Sequence, residues 1–431
     1  MSKDSKHVVV VGGGFAGINV AKELGNKKNV RVTLVDRRNH HLFQPLLYQV
    51  AMAALSPAEI AYPIRSLVRK YRNIDVLLDE VTGVDGPNKE LLLGDTKLGY
   101  DFLVLACGST HSYFGHNEWE EYAPGLKTLA QATEIRRRVL LSFEKAANET
   151  DIELQRKLLT FVIVGGGPTG VELAGSIAEM SRQSLRRDFK NLDTSRTRVI
   201  LLEGSSSILS SYSKNLSYKA SQALEKLGVQ VWTNALVTRV SEKGVFVGDD
   251  EFVKASTVLW AAGVSASPLN KALNVPLDRA GRIIVNQFCQ VEQFPGMYVI
   301  GDQASFDHKS QPLPGLAPVA IQQGRYLAKQ ILAVSSGKKQ TAFRYLDKGQ
   351  MATIGRNKAV MKAFGFELNG LLAWLAWLFI HILYLIGFKN RLFVMLQWSW
   401  SYLSFKKGAR LIIDREWRSF GTKSAKIIDD L

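Results

Sequence analysis

Two glycine-rich loops, each following a run of aliphatic residues and each opening a helix, and a late stretch that is apolar on every side predict an α/β fold: two Rossmann-like domains followed by a C-terminal membrane-attaching helical region. At 431 residues the chain is long for one core, so two or three packed domains are expected. Hydrophobic residues at 46% and charged residues at 22% are ordinary for globular protein and exclude wholesale disorder. The net charge of +16 suits an anionic membrane face, phosphate-bearing ligands or nucleic acid. With no zinc-finger or basic-zipper pattern, no nucleic-acid partner is expected. No charged-then-apolar leader precedes the first aliphatic run, so neither a signal nor a transit peptide is expected.

Each element can be justified in turn. Val8 to Val11 read as a buried parallel strand, because only a strand covered on both faces is aliphatic at every position. Gly12-x-Gly14-x-x-Gly17 follows and opens the helix AGINVAKEL. In such a loop the first glycine permits the tight turn, the second lets a pyrophosphate approach the backbone, and the third brings helix and strand together. The free N–H groups of the helix N-terminus face the phosphates. The next strand, VRVTLVD, ends in Asp36, an acid placed to bind a ribose hydroxyl pair.

The pattern then repeats. FVIVGGGPTGVELAGSIAEM carries Gly165-x-Gly167-x-x-Gly170, and the strand TRVILLE ends in Glu203. Two such fingerprints imply two dinucleotides, one a bound flavin and the other a nicotinamide. Glu203 would accept from ribose hydroxyls and repel a 2′-phosphate, and no arginine directly follows it, so NADH is favoured over NADPH. FLVLACGST ends a strand at Gly108, and FPGMYVIGDQAS ends one at Gly301-Asp302, where the acid can bond a ribityl chain. WAAGVSASP carries Gly263 at the end of a nicotinamide-domain strand. The expected organisation is a flavin domain in two parts (1–115 and 271–335), a helical connector (116–157), a nicotinamide domain (158–270) and the attachment region (336–431).

On these residues, and on FQPLLYQVA, LVLACGSTHSYFG, VLWAAGV, YVIGDQAS, APVAIQQGRY and DKGQMATIGR, the chain resembles the type II (non-proton-pumping) NADH:quinone oxidoreductases over nearly its whole length. The resemblance implies FAD on Gly12, Gly14, Gly17, Asp36, Gly108 and Asp302, and NADH over Gly165, Gly167, Gly170, Glu203 and Gly263. It implies hydride transfer from NADH to FAD and two-electron reduction of a membrane quinone. Glu172 matches a family carboxylate near the reacting rings; its bland alternative is a carboxylate answering the dipole of its own helix. The quinone-side motif Ala-Gln-x-Ala-x-Gln reads here Ala317-Pro318-Val319-Ala320-Ile321-Gln322, so Ala320 and Gln322 match while Pro318 departs from the pattern. Gln322 and Gln323 have a second reading, a polar helix face turned to solvent. No His or Cys lies in a flavin-attachment motif, so noncovalent FAD is expected.

Residues 370–388 hold no Lys, Arg, Asp or Glu and one histidine, His381, read as a snorkelling or partner-bonded side chain or as a proton group for quinone. As one helix this stretch would reach about 28 Å, close to a bilayer core. Beyond it, Gln397, Ser401 and Ser404 form a polar stripe on an aromatic helix, the pattern of an interfacial segment. Residues 389–431 carry nine Lys/Arg, Lys406 and Lys407 among them, against four Asp/Glu, which favours an anionic lipid surface. The expectation is a peripheral or monotopic protein of the cell membrane with its catalytic domains facing the cytoplasm, the runner-up a single span. A homodimer stays open.

Two rivals differ in what they require. A sulfide:quinone oxidoreductase needs reactive cysteines beside the flavin, and Cys107 and Cys289 are read as simple buried thiols. A low-turnover NADH-sensing flavoprotein has no use for the quinone-side motif or the apolar helices. The adjacent His40 and His41 point to opposite faces of a strand, and no metal site is expected.

Overall fold

The computed structural model describes residues 5–404 and 408–413. Lys406, Lys407 and the tail from residue 414, which supply part of the basic surplus, lie outside the described residues. The framework opens with β1 (Lys6–Val11), α1 (Phe15–Leu24), β2 (Val30–Asp36), β3 (Ile74–Leu78) and β4 (Phe102–Leu105). The long helix α2 (Leu129–Asn148), capped by the Thr128 hydroxyl on the Gln131 amide, leads to the second unit. That unit comprises β5 (Thr160–Val164), α3 (Pro168–Glu179), β6 (Arg198–Leu202), β7 (Val229–Trp232) and β8 (Thr257–Trp260). The remainder is β9 (Met297–Val299), α4 (Ala317–Ser335), β10 (Gln350–Gly355), β11 (Lys358–Ala363), β12 (Phe366–Gly370), α5 (Leu371–Tyr384) and α6 (Phe388–Ser404).

Two parallel sheets form the body. The first runs β9-β4-β1-β2-β3 and the second β7-β6-β5-β8. β9 therefore joins the first sheet beside β4, so the chain leaves that sheet, builds the second and returns. Val8, Val9 and Val10 are fully buried, as are Phe161, Val162 and Ile163, because helices or loops cover both faces of each sheet. A third, antiparallel sheet, β10-β11-β12, packs on α3. A Cβ built on Gly175 would stand 1.7 Å from the Ile354 carbonyl oxygen, so only glycine lets β10 lie against α3.

The apolar stretch 370–388 is not one helix. It forms the 14-residue α5, breaks at Leu385, and resumes as α6 from Phe388. Gly387 adopts φ +91°, and Arg391 donates to the carbonyls of Leu385 and Leu383, closing the end of α5. Fourteen residues rise only about 21 Å, short of a bilayer core. Among the described residues no helix is long and apolar enough to cross a membrane, which corrects the single-span alternative. α5 docks through Ala373, Trp377 and His381, and α6 through Asn390 and Val394.

The polar stripe of α6 takes the opposite place from a surface helix. Gln397, Ser401 and Ser404 are half-buried, while Phe393, Leu396, Trp400 and Leu403 are exposed.

Candidate functional site

The two glycine loops have nearly the same geometry. Gly12 and Gly165 adopt φ +101° and +106°, and a Cβ on Gly17 or Gly170 would lie 1.9 or 1.8 Å from the carbonyl oxygen of the first glycine of its loop. No atom lies within 4 Å of a Cβ built on Gly14 or Gly167, so the backbone is bare where a diphosphate would approach. Asp36 accepts from the amides of Gly13 (2.6 Å) and Arg38 (2.7 Å). Glu203 accepts from those of Gly166 (2.6 Å) and Ser205 (2.7 Å). Each acid is thus held by two backbone N–H groups, one from its loop and one just past the acid itself.

Around the first loop the structure gathers residues remote in sequence. Ser109, next to Gly108, donates to Asp302 at 3.0 Å, and the Lys127 ammonium reaches the same hydroxyl at 3.1 Å. Burial lowers the Lys127 pKa, and the Asp302 charge offsets part of that. The Gly301 amide donates to Gln323 at 2.7 Å, and the Cys107 amide to Gln303 at 2.7 Å. His41 Nδ1 lies 2.9 Å from the Gly13 carbonyl oxygen, so Nδ1 carries the proton. Burial pushes His41 down to about 4, which keeps the ring neutral. Its Nε2 is buried without a partner among the described residues.

Ala320 is buried against Gly301, its Cβ 3.6 Å from the Cβ position there. Gln322 hydrogen-bonds the backbone of Leu346 at both ends of its amide, at 2.9 and 3.0 Å. The solvent-facing alternative for the glutamine pair is overturned, because Gln323 is fully buried under the Gly301 turn. Gly263, at φ +72°, lies below the ring of Phe114.

Glu172 is on the second turn of α3, beyond reach of the helix's free N–H groups, so the dipole-answering alternative does not describe it. Part of its side chain meets solvent, yet its carboxyl lies deep among protein atoms. Burial raises its pKa well above the usual carboxylate range, and the Thr353 backbone amide draws it back part of the way. Burial likewise raises Tyr48, with the Glu172 charge adding to the shift. Burial therefore favours the protonated form of Glu172.

A cavity of about 790 Å³ reaches Tyr48 and Thr353, which interact with Glu172, while Glu172 itself does not line it. Its walls are the Leu47–Ala51 helix, α3, β10, α5 and α6, with Tyr48, Thr353, Trp377 and Trp398 among the lining. Trp398 donates to Gln49 Oε1 at 2.7 Å, and Gln49 donates to the Tyr48 hydroxyl at 2.9 Å, so FQPLLYQVA is the seat of the C-terminal helices. Trp377 stacks on His381, ring centres 4.1 Å apart, and its indole N–H is buried without a partner among the described residues. His381 Nδ1 bonds the Trp377 carbonyl at 2.7 Å, and burial lowers its pKa to about 4.

Sequence reasoning missed His41, Gln49, Gln303, Gln323, Trp377 and Trp398 as site residues. FQPLLYQVA marked the place of Gln49, but no spacing rule links it to Trp398.

Two backbone cradles, each with an anchored acid, and a carboxyl buried on the helix of the second define a two-dinucleotide oxidoreductase. Residues 6–324 match the family described as pyridine nucleotide-disulphide oxidoreductase. The type II NADH:quinone oxidoreductase Ndh of Mycobacterium tuberculosis is 42% identical over 424 residues, 95% of this chain and 90% of that protein. The chain belongs to the type II NADH:quinone oxidoreductase family. The fold matches that of NDH2 from Plasmodium falciparum, solved with NADH, with a TM-score of 0.87 at 21% identity, covering 95% of this chain and 100% of that one. A sulfide:quinone oxidoreductase from Aquifex aeolicus shares the fold with a TM-score of 0.71 at 17% identity, covering 95% and 93%. Here burial pushes Cys107 up to about 12 and raises Cys289 too, so neither is a thiolate nucleophile.

Proposed function

We propose that this protein oxidises NADH on the Gly165–Gly170 loop and reduces a membrane quinone in the cavity beside Glu172, through an FAD held noncovalently on the Gly12–Gly17 loop. The observation that carries this reading is an apolar cavity walled by the C-terminal helices and lined by Tyr48 and Thr353, the groups that interact with Glu172 on the helix of the second dinucleotide cradle. The overall balance is NADH, quinone and one proton giving NAD⁺ and quinol. When bound, FAD would supply two-electron redox chemistry as a hydride acceptor between the two substrates.

The chain's own groups then have distinct tasks. Gly12, Gly14 and Gly17 admit the diphosphate, Asp36 holds a ribose, and Asp302, with Gly108 and Ser109 behind it, faces the ribityl hydroxyls. Gly165, Gly167 and Gly170 admit NADH, with Gly263 flooring the approach. Glu203 binds its adenosine ribose and repels a 2′-phosphate. Glu172 holds a proton at the site where quinol formation takes one up. The unpartnered Trp377 indole is a donor for a quinone carbonyl, since a buried N–H gains a bond there at no cost to another. Ala320 and Gln322 shape the quinone side indirectly, Gln322 by pinning Leu346.

Attachment is peripheral, through one leaflet, with the catalytic domains on the cytoplasmic side where NADH is made. The exposed faces of α5 and α6 carry Leu372, Phe379, Trp400 and Leu403, and the β11–β12 turn adds Phe364 and Phe366 beside them. Such a contiguous apolar surface marks an interaction site, and the basic residues around it favour anionic lipid.

The test is purified protein assayed with menadione as acceptor and NADH, NADPH or sulfide as donor. Rapid oxidation of NADH alone is expected; sulfide oxidation, or no quinone-dependent turnover, overturns the reading. Trp377→Phe should raise the quinone KM about tenfold while ferricyanide reduction persists. An unchanged quinone KM removes the indole from the site.

A further inference from the structure

A second cavity, of about 690 Å³, lies between the outer face of α1, the middle of α4 and the bend joining α5 to α6. Leu383 and Ile386 give it an apolar wall at the bend. Lys22, Lys27, Arg325 and Arg391 line the rest, and Glu23 is the one carboxylate among the lining residues. Two of these cations already have neutral acceptors: Arg391 bonds the end of α5, and Arg325 donates to Asn19 at 3.3 Å. Lys22 does not. Its ammonium is half-buried and has no hydrogen-bond or ion-pair partner among the described residues. Burial, and then the nearby Lys70 charge, lower its pKa. A desolvated cation facing a cationic cavity is unfavourable unless an anion arrives.

The internal duplication shows that this space is not a by-product of the fold. Counting from the glycine loops, Lys22 on α1 occupies the place that Gly175 holds on α3. In the second unit that helix face is filled by β10, whose Ile354 carbonyl takes the room a Cβ would need. In the first unit the same face is left open and carries charge.

We propose that this cavity binds a phosphate-bearing amphiphile, a phospholipid of the membrane, with Lys22 and Arg325 on the phosphate and Leu383 and Ile386 along the acyl chains. The proposal rests on the membrane-attachment reading, because the bend that supplies Leu383 and Ile386 belongs to the helices assigned to the bilayer. The headgroup would fix how deeply those helices settle, while their apolar faces supply most of the adhesion.

The experiment compares wild-type holoenzyme with Lys22→Gln, Lys22→Arg and Arg325→Gln. Thermal melting is followed in detergent with phosphatidylglycerol, phosphatidylcholine or inorganic phosphate, alongside flotation on vesicles. Phosphatidylglycerol should raise the wild-type melting temperature at the lowest concentration of the three. Each glutamine variant should bind it about fivefold more weakly. Lys22→Arg should bind it as wild type does, and all three should keep their cofactor and still float. Equal affinity in wild type and both glutamine variants overturns the site, and an equal effect of inorganic phosphate overturns the lipid as its source. Should Lys22→Gln lose its cofactor through misfolding, Arg325→Gln, on another helix, decides alone. Wild type that floats on no vesicle sinks the attachment reading as well; wild type that floats with no headgroup preference sinks only this proposal.

Discussion

The two glycine loops share backbone geometry but not surroundings. Asn19 on α1 and Glu172 on α3 occupy the same position, two residues past the third glycine. Asn19 donates to the Phe15 carbonyl at 2.8 Å and serves as a neutral contact beneath α4. Glu172 meets β10 instead, where burial favours its protonated form. The lesson is that the loop supplies a general cradle, while the element packed on its helix decides what chemistry stands beside it. α4 covers α1 closely enough that a Cβ on Gly324 would lie 2.5 Å from the Ala16 carbonyl oxygen. On α3 the third sheet meets Glu172 through the Thr353 backbone, and Thr353 lines the cavity.

The sharpest way to break this comparison is to add one methyl group to each loop. Gly17→Ala forces a Cβ into the Gly12 carbonyl and should weaken cofactor retention by on the order of a hundredfold, giving colourless protein. Gly170→Ala makes the same clash in the other loop, yet should leave the protein yellow and abolish reduction of that colour by NADH. If both variants lose their colour, the two cradles are not independent.

Next in size is Glu172→Gln. Removing a proton-holding carboxyl should lower turnover about a hundredfold at saturating substrates with cofactor content intact, and should erase the alkaline fall of the rate that ionisation of Glu172 causes. An unchanged rate and profile would make Glu172 a packing residue. Glu203→Ala should then shift the preference for NADH over NADPH by about tenfold, read as the ratio of kcat/KM values. A wild type already indifferent to the 2′-phosphate removes the specificity role from Glu203.

The smallest effect is on stability. Glu172 has a raised pKa when folded, so the folded state holds a proton that the unfolded chain releases near the ordinary carboxylate range. Its contribution is therefore full below that range and declines as pH rises toward the folded value. Denaturant midpoints measured between about pH 5 and about pH 7.5 should fall more steeply for wild type than for Glu172→Gln. Parallel slopes would place the carboxyl in water.

What the sequence made legible follows from how local each feature is. A glycine loop between a strand and a helix constrains a dozen consecutive residues, so both cradles and both acids could be read directly. The return of β9 to the first sheet was foreshadowed by Gly301-Asp302 repeating the strand-to-turn pattern. By contrast, Gln303 and Gln323 act by bonding the Cys107 and Gly301 amides from elsewhere in the fold, and a buried glutamine has no signature of its own. The length of α5 was misread because hydrophobicity does not decide where a helix stops. Gly387 and Arg391, just past the break, were the available signal. The inward stripe of α6 was seen as a stripe, but its direction depends on Gln49 and on what seats Trp398.

α5 and α6 are at once walls of the larger cavity and bearers of the exposed apolar face. On the attachment proposed above, a molecule dissolved in the leaflet would meet the cavity by lateral diffusion in two dimensions. The quantity governing its encounter is then its mole fraction in lipid, and its concentration in the aqueous volume drops out of the rate law. Diluting loaded vesicles with buffer should then leave turnover unchanged, whereas diluting the quinone with plain lipid should slow it.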